Sequence, residues 1–276
     1  MLKRIITSIV GCAILLPILI FSGTFVLPIA VTIVTLIALY EMFKCIGLHR
    51  KLAITLPAYF IAGILPTVAK LAHGASGIMG IMCALTMLLA VYLLSVAVIG
   101  YKTYTFSDSA LVFMMSLYII GGFLSIVFLR EMSSNIYLLA FIGAWITDIF
   151  AYFTGYLFGK HKLCEAISPK KTIEGSIGGI LFCSLAFVIF AIVTKGAEAT
   201  VGYCIIYAAV GIVISIVSQI GDLSMSLIKR HYNIKDFGKL FPGHGGILDR
   251  FDSVLAVSLV LFIILSALVN FNIIVI

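Results

Sequence analysis

The stretch IMGIMCALTMLLAVYLLSVAVI, from Ile78 to Ile99, contains no charged side chain and decides the fold class. A helix that crosses the hydrocarbon core of a bilayer needs about 20 mainly apolar residues, and this stretch is long enough. The rest of the chain has the same character, because 63% of its 276 residues are hydrophobic and only 11% are charged. A soluble domain averages about 25% charged residues, so the sequence predicts a protein whose solvent is a bilayer.

Further stretches of similar length and polarity lie on both sides of this one. They cover roughly residues 5–21, 24–43, 52–69, 110–129, 135–153, 176–194, 201–221 and 254–272. The sequence therefore predicts an all-α, polytopic transmembrane helical bundle of about nine spans, with its active site at the cytoplasmic face. We divide this single membrane domain into an N-terminal scaffold, 1–134, and a C-terminal catalytic region, 135–276.

The distribution of basic residues predicts the orientation. With the N-terminus in the cytoplasm, only Lys70, Arg130 and Lys195 of the 18 basic residues fall on the far side. Cytoplasmic loops carry an excess of Lys and Arg, so this orientation is strongly favoured. We expect a multi-pass protein of the inner (plasma) membrane with an extracytoplasmic C-terminus. Most of the basic residues that give the net charge of +7 then face anionic head groups and substrates. Nucleic acid is not an expected partner.

Asp148 is the first candidate for chemistry. It lies toward the cytoplasmic end of the span at 135–153, just before a connection at about 154–175. A carboxylate within a span is costly and usually faces a cavity with a function. The alternative is an interfacial aspartate paired with a lysine.

The second candidate is the segment SPKKTIEG, from Ser168 to Gly175. Ser before Pro is typical of a helix start, so we expect Ser168 to cap a helix with Pro169 in its first turn. Free N–H groups there, together with Lys170 and Lys171, would favour a phosphate. The alternative is a capped helix whose lysines serve only the membrane topology.

The third candidate is the connection at about 222–253. Asp222 ends the preceding span, and Asp249 and Asp252 are three residues apart, so on a helix they share a face. Carboxylates of this kind suit Mg²⁺, which takes oxygen ligands and bridges phosphates. Gly245 and Gly246 allow a ligand to approach the backbone, and several basic residues could neutralise a polyphosphate. The alternative is a solvated loop with surface ion pairs.

The segment from Ser226 to Asp252 resembles the signature of the phosphatidate cytidylyltransferases, also called CDP-diglyceride synthases. The segment SPKKTIEG and the pattern from Asp148 to Lys160 resemble other cytoplasmic elements of that family. The resemblance implies the reaction of CTP with phosphatidate to give CDP-diacylglycerol and pyrophosphate, at a bilayer surface and with Mg²⁺ as cofactor. It also admits a second cation and a homodimer.

The resemblance and the residue chemistry together define the expected site. Catalytic roles are expected for Asp222, Asp249, Lys171 and Asp148, and metal binding for Asp222, Asp249 and Asp252. Substrate-binding residues are expected to be Ser168, Lys170, Thr172, Glu174, Lys229, Arg230, His244, Gly245, Gly246 and Arg250.

Three other functions remain open at this stage. An anion transporter or channel would be favoured by charges at the middle of several spans, yet the acidic residues cluster toward one face. Another CTP-using lipid enzyme, such as a polyprenol kinase or a CDP-alcohol phosphotransferase, is a second alternative, although the aspartate pattern of the latter is absent. A membrane scaffold without catalysis is the third, and the intact carboxylates argue against it.

Overall fold

The computed structural model of the protein describes residues 11, 13–72, 75–196, 199–241, 243 and 245–274. Eight helices in these ranges are long and apolar enough to cross a membrane. They are α1 (Val26–Cys45), α2 (Leu52–Leu71), α3 (Ala75–Ile99), α4 (Phe106–Met132), α5 (Leu138–Phe158), α6 (Ile173–Lys195), α7 (Val201–His231) and α8 (Leu248–Asn270). The predicted all-α, polytopic bundle is confirmed. The predicted span at 5–21 lies partly outside the described residues.

The connection between α7 and α8 is shorter than the sequence indicates. α7 continues to His231, and α8 begins at Leu248. The helix does not end near Asp222, as the bound at 221 suggests, because Asp222 lies inside a helix of 31 residues. A helix needs only one apolar face to pack, so a single charged residue in an apolar stretch does not end it. Met225, on the next turn, is buried in the core and continues the apolar face.

The chain forms two compact units. The first contains the described residues up to Ser134 together with Tyr232–Phe251. Its core includes the buried side chains of Leu39 and Phe43 from α1 and Phe123 from α4. The second contains Asn135–His231 and the residues from Asp252 onward. The assignment of a scaffold role to 1–134 and a catalytic role to 135–276 stays a prediction.

Close helix packing defines the second unit. A Cβ on Gly211 of α7 would lie 2.8 Å from the Cα of Ser184 in α6, so these two helices approach at a glycine. The hydroxyl of Thr147 in α5 donates a hydrogen bond of 3.0 Å to Ser215 of α7, and both side chains are fully buried. Small residues and interhelical hydrogen bonds are the usual means by which helices associate in a bilayer.

A short hairpin precedes α6 where the sequence predicts a helix start. Strand β1 (Lys162–Cys164) pairs antiparallel with β2 (Ser168–Thr172). The prediction that Ser168 caps the helix was therefore wrong, since α6 is capped by Thr172 and begins at Ile173. The reason is local: proline is tolerated in an edge strand, and threonine four residues later is also a favourable cap.

Candidate active site

A cavity of about 550 Å³ opens in the second unit, among α5, the hairpin, the start of α6 and α7. Its polar side chains belong to Asp148, Tyr152, Tyr156, Lys162, Lys170, Lys171, Thr172, Ser176, Gln219 and Asp222. Ligand pockets commonly measure roughly 300–1,000 Å³, so the volume suits a nucleotide or a lipid head group. The mixture of lysines and carboxylates suits a ligand that carries negative charge and is accompanied by a cation.

Thr172 fixes the junction between β2 and α6 on the cavity wall. Its Oγ1 accepts the N–H of Gly175 at 3.1 Å and satisfies one of the free donors of the first helical turn. The same hydroxyl is enclosed by α5, since a Cβ on Gly155 would lie 2.8 Å from it. Thr172 lines the cavity, and its hydroxyl caps the helix next to Lys171; the predicted contact of Thr172 with substrate stays a prediction.

Glu174 attaches the hairpin to the first turn of α6. Its carboxylate lies 2.7 Å from Nδ1 of His161 and accepts the backbone N–H of the same residue at 3.3 Å. Among the described residues of the second unit, the lining of the cavity does not include Glu174 or Ser168. Both were predicted to bind substrate, and the contacts of Glu174 indicate a structural contribution to the shape of the cavity.

Lys171 and Asp222 form an ion pair in the cavity. Their side chains are 23% and 25% exposed, so the pair is half-buried but accessible to a ligand. Lys170 is exposed. The hairpin therefore brings both lysines to the cavity, with Lys171 half-buried in the ion pair and Lys170 exposed.

Three carboxylates from different helices approach one another in the second unit. The hydroxyl of Ser253 lies 3.3 Å from a carboxylate oxygen of Asp148 and 3.3 Å from one of Asp252. Asp222 is close enough for its charge to act on both aspartates, and the ammonium of Lys171 acts on Asp148. The structure thus brings together Asp148, Asp222 and Asp252, which the sequence places on α5, α7 and α8.

The donor chemistry of this cluster fits a hard divalent cation. The nearby groups are carboxylate and hydroxyl oxygens, which are the ligands that Mg²⁺ prefers. No three His, Cys, Asp or Glu side chains within the described ranges are arranged around a single metal position. Mg²⁺ is commonly held by one or two carboxylates, with water and substrate phosphates completing the shell.

Asp249 belongs to the first unit and has a different environment. It lies in the first turn of α8 and is 9% exposed. Its Oδ2 accepts the N–H of Phe237 at 2.8 Å and the N–H of Gly246 at 2.9 Å. Asp249 therefore holds both ends of the loop at 237–246, and its predicted role as a metal ligand stays a prediction.

The loop turns back on itself through glycines. Phe241 and Gly245 exchange backbone hydrogen bonds of 2.9 and 3.1 Å. Gly243 and Gly245 have φ values of 81° and 87°, a region that side chains with a Cβ rarely adopt. Gly245 is therefore required by the turn itself, whether or not it also contacts substrate as predicted.

Glu41 is a residue of this region that the sequence analysis missed. It lies near the end of α1 and is 5% exposed. Its Oε1 accepts the N–H of Ile247 at 3.1 Å, and its Oε2 accepts the N–H of Leu248 at 2.9 Å. The sequence does carry a signal, because a lone carboxylate within a span is costly and indicates a function for Glu41 as it does for Asp148.

The remaining predicted substrate-binding residues are basic or lie in the loop. Lys229 is half-buried on α7, whereas Arg230 and Arg250 are exposed. Among the described residues of the second unit, the cavity lining does not include Lys229 or Arg230. His244 lies outside the described residues. Contacts of these residues with substrate stay predictions.

Comparison with known proteins identifies the class. The model of the cytidylyltransferase family matches residues 2–268, which is nearly the whole chain. The chain belongs to this family. The resemblance seen in the segment from Ser226 to Asp252 and in the SPKKTIEG segment is thereby confirmed.

Individual relatives carry a more specific name. The chain is 36% identical over 262 residues to the phosphatidate cytidylyltransferase of Staphylococcus haemolyticus, an alignment that covers 95% of this chain and 98% of the relative. It is also 36% identical, with the same coverage, to the phosphatidate cytidylyltransferase of Staphylococcus aureus. The corresponding protein of Staphylococcus saprophyticus is 34% identical over 263 residues.

Proposed function

We propose that the protein transfers the cytidylyl group of CTP to phosphatidate and produces CDP-diacylglycerol and pyrophosphate. A phosphate oxygen of phosphatidate forms a bond to the α-phosphorus of CTP, while the bond from that phosphorus to the bridging oxygen of pyrophosphate breaks. The observation that supports this proposal best is the ion pair of Lys171 and Asp222 in a polar cavity of a membrane-embedded member of the cytidylyltransferase family.

The reaction needs neutralisation of charge more than it needs a base. The attacking phosphate is already anionic near neutral pH, so orientation and electrostatic stabilisation dominate the barrier. Lys171 supplies a half-buried ammonium whose position is fixed by the Thr172 cap and by Asp222. Lys162 and Lys170 line the same cavity and are exposed, so they would attract the anionic substrates toward it.

A divalent cation, with Mg²⁺ as the expected ion, is part of this proposal. Asp148 and Asp222 line the cavity, and Asp252 is linked to Asp148 through Ser253. These residues would hold the ion, and Asp249 is a further candidate from the family resemblance. When bound, the cation would neutralise the triphosphate and stabilise the charge that develops on the leaving pyrophosphate.

An assay with purified protein in detergent tests the reaction. Phosphatidate is incubated with each of the four nucleoside triphosphates, in Mg²⁺ or in excess EDTA, and lipid products and pyrophosphate are measured. We expect CDP-diacylglycerol and pyrophosphate in equal amounts, with CTP preferred and with EDTA abolishing turnover. Absence of a liponucleotide with every triphosphate would refute the proposed function, whereas full turnover in EDTA would refute only the metal.

The proposal also places the N-terminus and the connections at 159–172 and 232–247 in the cytoplasm, because CTP is a cytosolic substrate. In a variant without native cysteines, Glu165→Cys and Asp236→Cys should resist a membrane-impermeant thiol reagent in intact cells. Ser134→Cys serves as the control on the opposite side and should react. All three side chains are exposed, so accessibility reports the side of the membrane. Labelling of position 165 or 236 from outside would contradict this orientation.

A further inference from the structure

We propose that Glu41 is a positioning residue for the glycine-rich loop at 237–247 and for the start of α8. The inference rests on the proposed function only for its effect on turnover. The contacts that support it all lie within the first unit. Glu41 acts through the backbone of this loop and not on a substrate.

Two hydrogen bonds connect the Glu41 carboxylate to the beginning of α8. The N–H groups of Ile247 and Leu248 each donate to a different oxygen, at 3.1 and 2.9 Å. The first N–H groups of a helix have no acceptor within the helix, and here a glutamate from another helix provides one. Both carboxylate oxygens of the buried Glu41 side chain thus accept hydrogen bonds from two consecutive backbone N–H groups.

Two glycines leave the space that this carboxylate occupies. A Cβ built on Gly238 or on Gly246 would overlap Oε1 of Glu41. Neither glycine has a positive φ, so backbone conformation does not require glycine at these positions. The close approach of Glu41 explains them instead, and it shows that the loop is shaped around the carboxylate.

Asp249 completes a second attachment of the same loop. Its Oδ2 accepts the N–H groups of Phe237 and Gly246, so Gly246 lies between the attachments made by Glu41 and Asp249. The carboxylates of Glu41 and Asp249 are also close enough for their charges to interact. Loss of Glu41 should therefore loosen the loop and displace Asp249 without disturbing the helices of the unit.

The test compares Glu41→Gln with wild type in detergent. The amide keeps the size of the side chain but directs an NH₂ group at a backbone donor. Lys235 and Lys239 are exposed in the connection at 232–247, which contains the loop. We expect trypsin cleavage after these lysines to accelerate by about tenfold to a hundredfold, as the loss of a hydrogen bond to a charged group allows. We expect kcat to fall by a larger factor than the KM for CTP rises, because loosening of the loop displaces Asp249, which is expected to be catalytic.

Glu131→Gln is the matched control. Glu131 is a mostly buried carboxylate in a helix of the same unit, and it pairs with Lys70 at 2.7 Å. Its loss should leave loop cleavage and kcat near wild type. If loop cleavage in Glu41→Gln equals that of Glu131→Gln, Glu41 contributes only general stability and the proposal is wrong. Accelerated cleavage with unchanged kcat would show that the loop needs no fixed position for turnover, which also overturns it.

Gly246→Ala gives an independent test that leaves Glu41 in place. The added methyl group should loosen the loop by displacing the carboxylate, and Glu41→Ala should remove that conflict. The double variant Glu41→Ala, Gly246→Ala is then expected to be no worse than Glu41→Ala alone, since contacting residues are not additive. Strictly additive effects would contradict the proposal. Proteolysis does not require substrate, so it remains decisive even if the protein does not use CTP.

Discussion

Two buried carboxylates of the first unit, Glu41 and Asp249, differ from two carboxylates of the second unit, Asp148 and Asp222, in what their oxygen atoms contact. In the first unit, Glu41 and Asp249 are almost fully buried and accept hydrogen bonds from backbone N–H groups. In the second unit, Asp148 and Asp222 line a cavity and interact with side chains, namely Ser253 and Lys171. The carboxylates of Glu41 and Asp249 therefore hold a loop in the first unit, whereas those of Asp148 and Asp222 face a cavity in the second.

The comparison shows why carboxylates in a membrane protein cannot be assigned by type alone. A carboxylate that accepts several N–H groups is fully satisfied by the protein and stabilises one backbone conformation. A carboxylate paired with a lysine at the wall of a cavity can exchange that partner for a ligand or a cation. Four substitutions test this distinction.

The largest effect is expected for Asp222→Asn. It removes the charge that holds Lys171 and that we propose to bind the cation, while the size of the side chain is preserved. Removal of one such electrostatic group typically costs about 10²–10³ in kcat. Steady-state assays with CTP and phosphatidate measure the effect. Asp236→Asn is the control, because Asp236 is exposed in the loop, and equal losses in both variants would attribute the effect to net charge.

Lys171→Ala should have the next largest effect. It removes a half-buried ammonium and leaves Asp222 without its partner, so we expect turnover to fall by about 10- to 100-fold. Lys160→Ala is the control, since Lys160 is exposed close to the hairpin and is not among the described residues that line the cavity, so its loss should matter little. If both alanine variants lose the same activity, the ion pair has no special role and the lysines act as a diffuse charge.

Asp249→Asn should have an intermediate effect. The amide retains an acceptor oxygen but loses the charge that strengthens the bonds from Phe237 and Gly246, so we expect about a tenfold loss of kcat. Faster trypsin cleavage after Lys239 should accompany the loss. Loss of turnover with unchanged cleavage would instead assign Asp249 to the chemistry, as the family resemblance predicts.

Thr172→Val should have the smallest effect of the four. The substitution is nearly isosteric but removes the cap of α6. Such a cap is typically worth about 1 kcal/mol, which corresponds to about a fivefold decrease in the equilibrium constant for the ordered helix start. Turnover should fall by a similar factor, and the thermal midpoint should decrease slightly. Thr172→Ser keeps the hydroxyl and should remain near wild type. A large loss in the serine variant would indicate that the methyl group, and not the cap, positions Lys171.

Much of the fold could be predicted because its main signal is local. Apolar stretches such as 78–99 locate the helices directly, since each must satisfy its own backbone hydrogen bonds in a bilayer. Helix ends were less predictable: α7 continues ten residues past the predicted end at 221, because amphipathic continuation outweighs a single aspartate. The strand at Ser168 was missed because Ser-Pro is compatible with both a helix start and an edge strand.

The candidate site was predicted in its residues but not in its arrangement. Lys171, Asp148 and Asp222 were identified from charges in unusual places, and the structure places all three at one cavity. The carboxylate of Glu41 is conspicuous within its span, but its role could not be predicted, because the loop that it holds is distant in the sequence. Its partners Ile247 and Leu248 are separated from it by 206 and 207 residues.

The sequence by itself determined that this is a polytopic membrane protein of the cytidylyltransferase family, because hydropathy and short motifs are local properties of the chain. Only the tertiary structure decided which carboxylates meet Lys171 and Ser253 and which bind the backbone of a loop. That choice depends on which face of each helix packs against its neighbours. In spans that are apolar on nearly every side, helical periodicity alone does not specify the packed face.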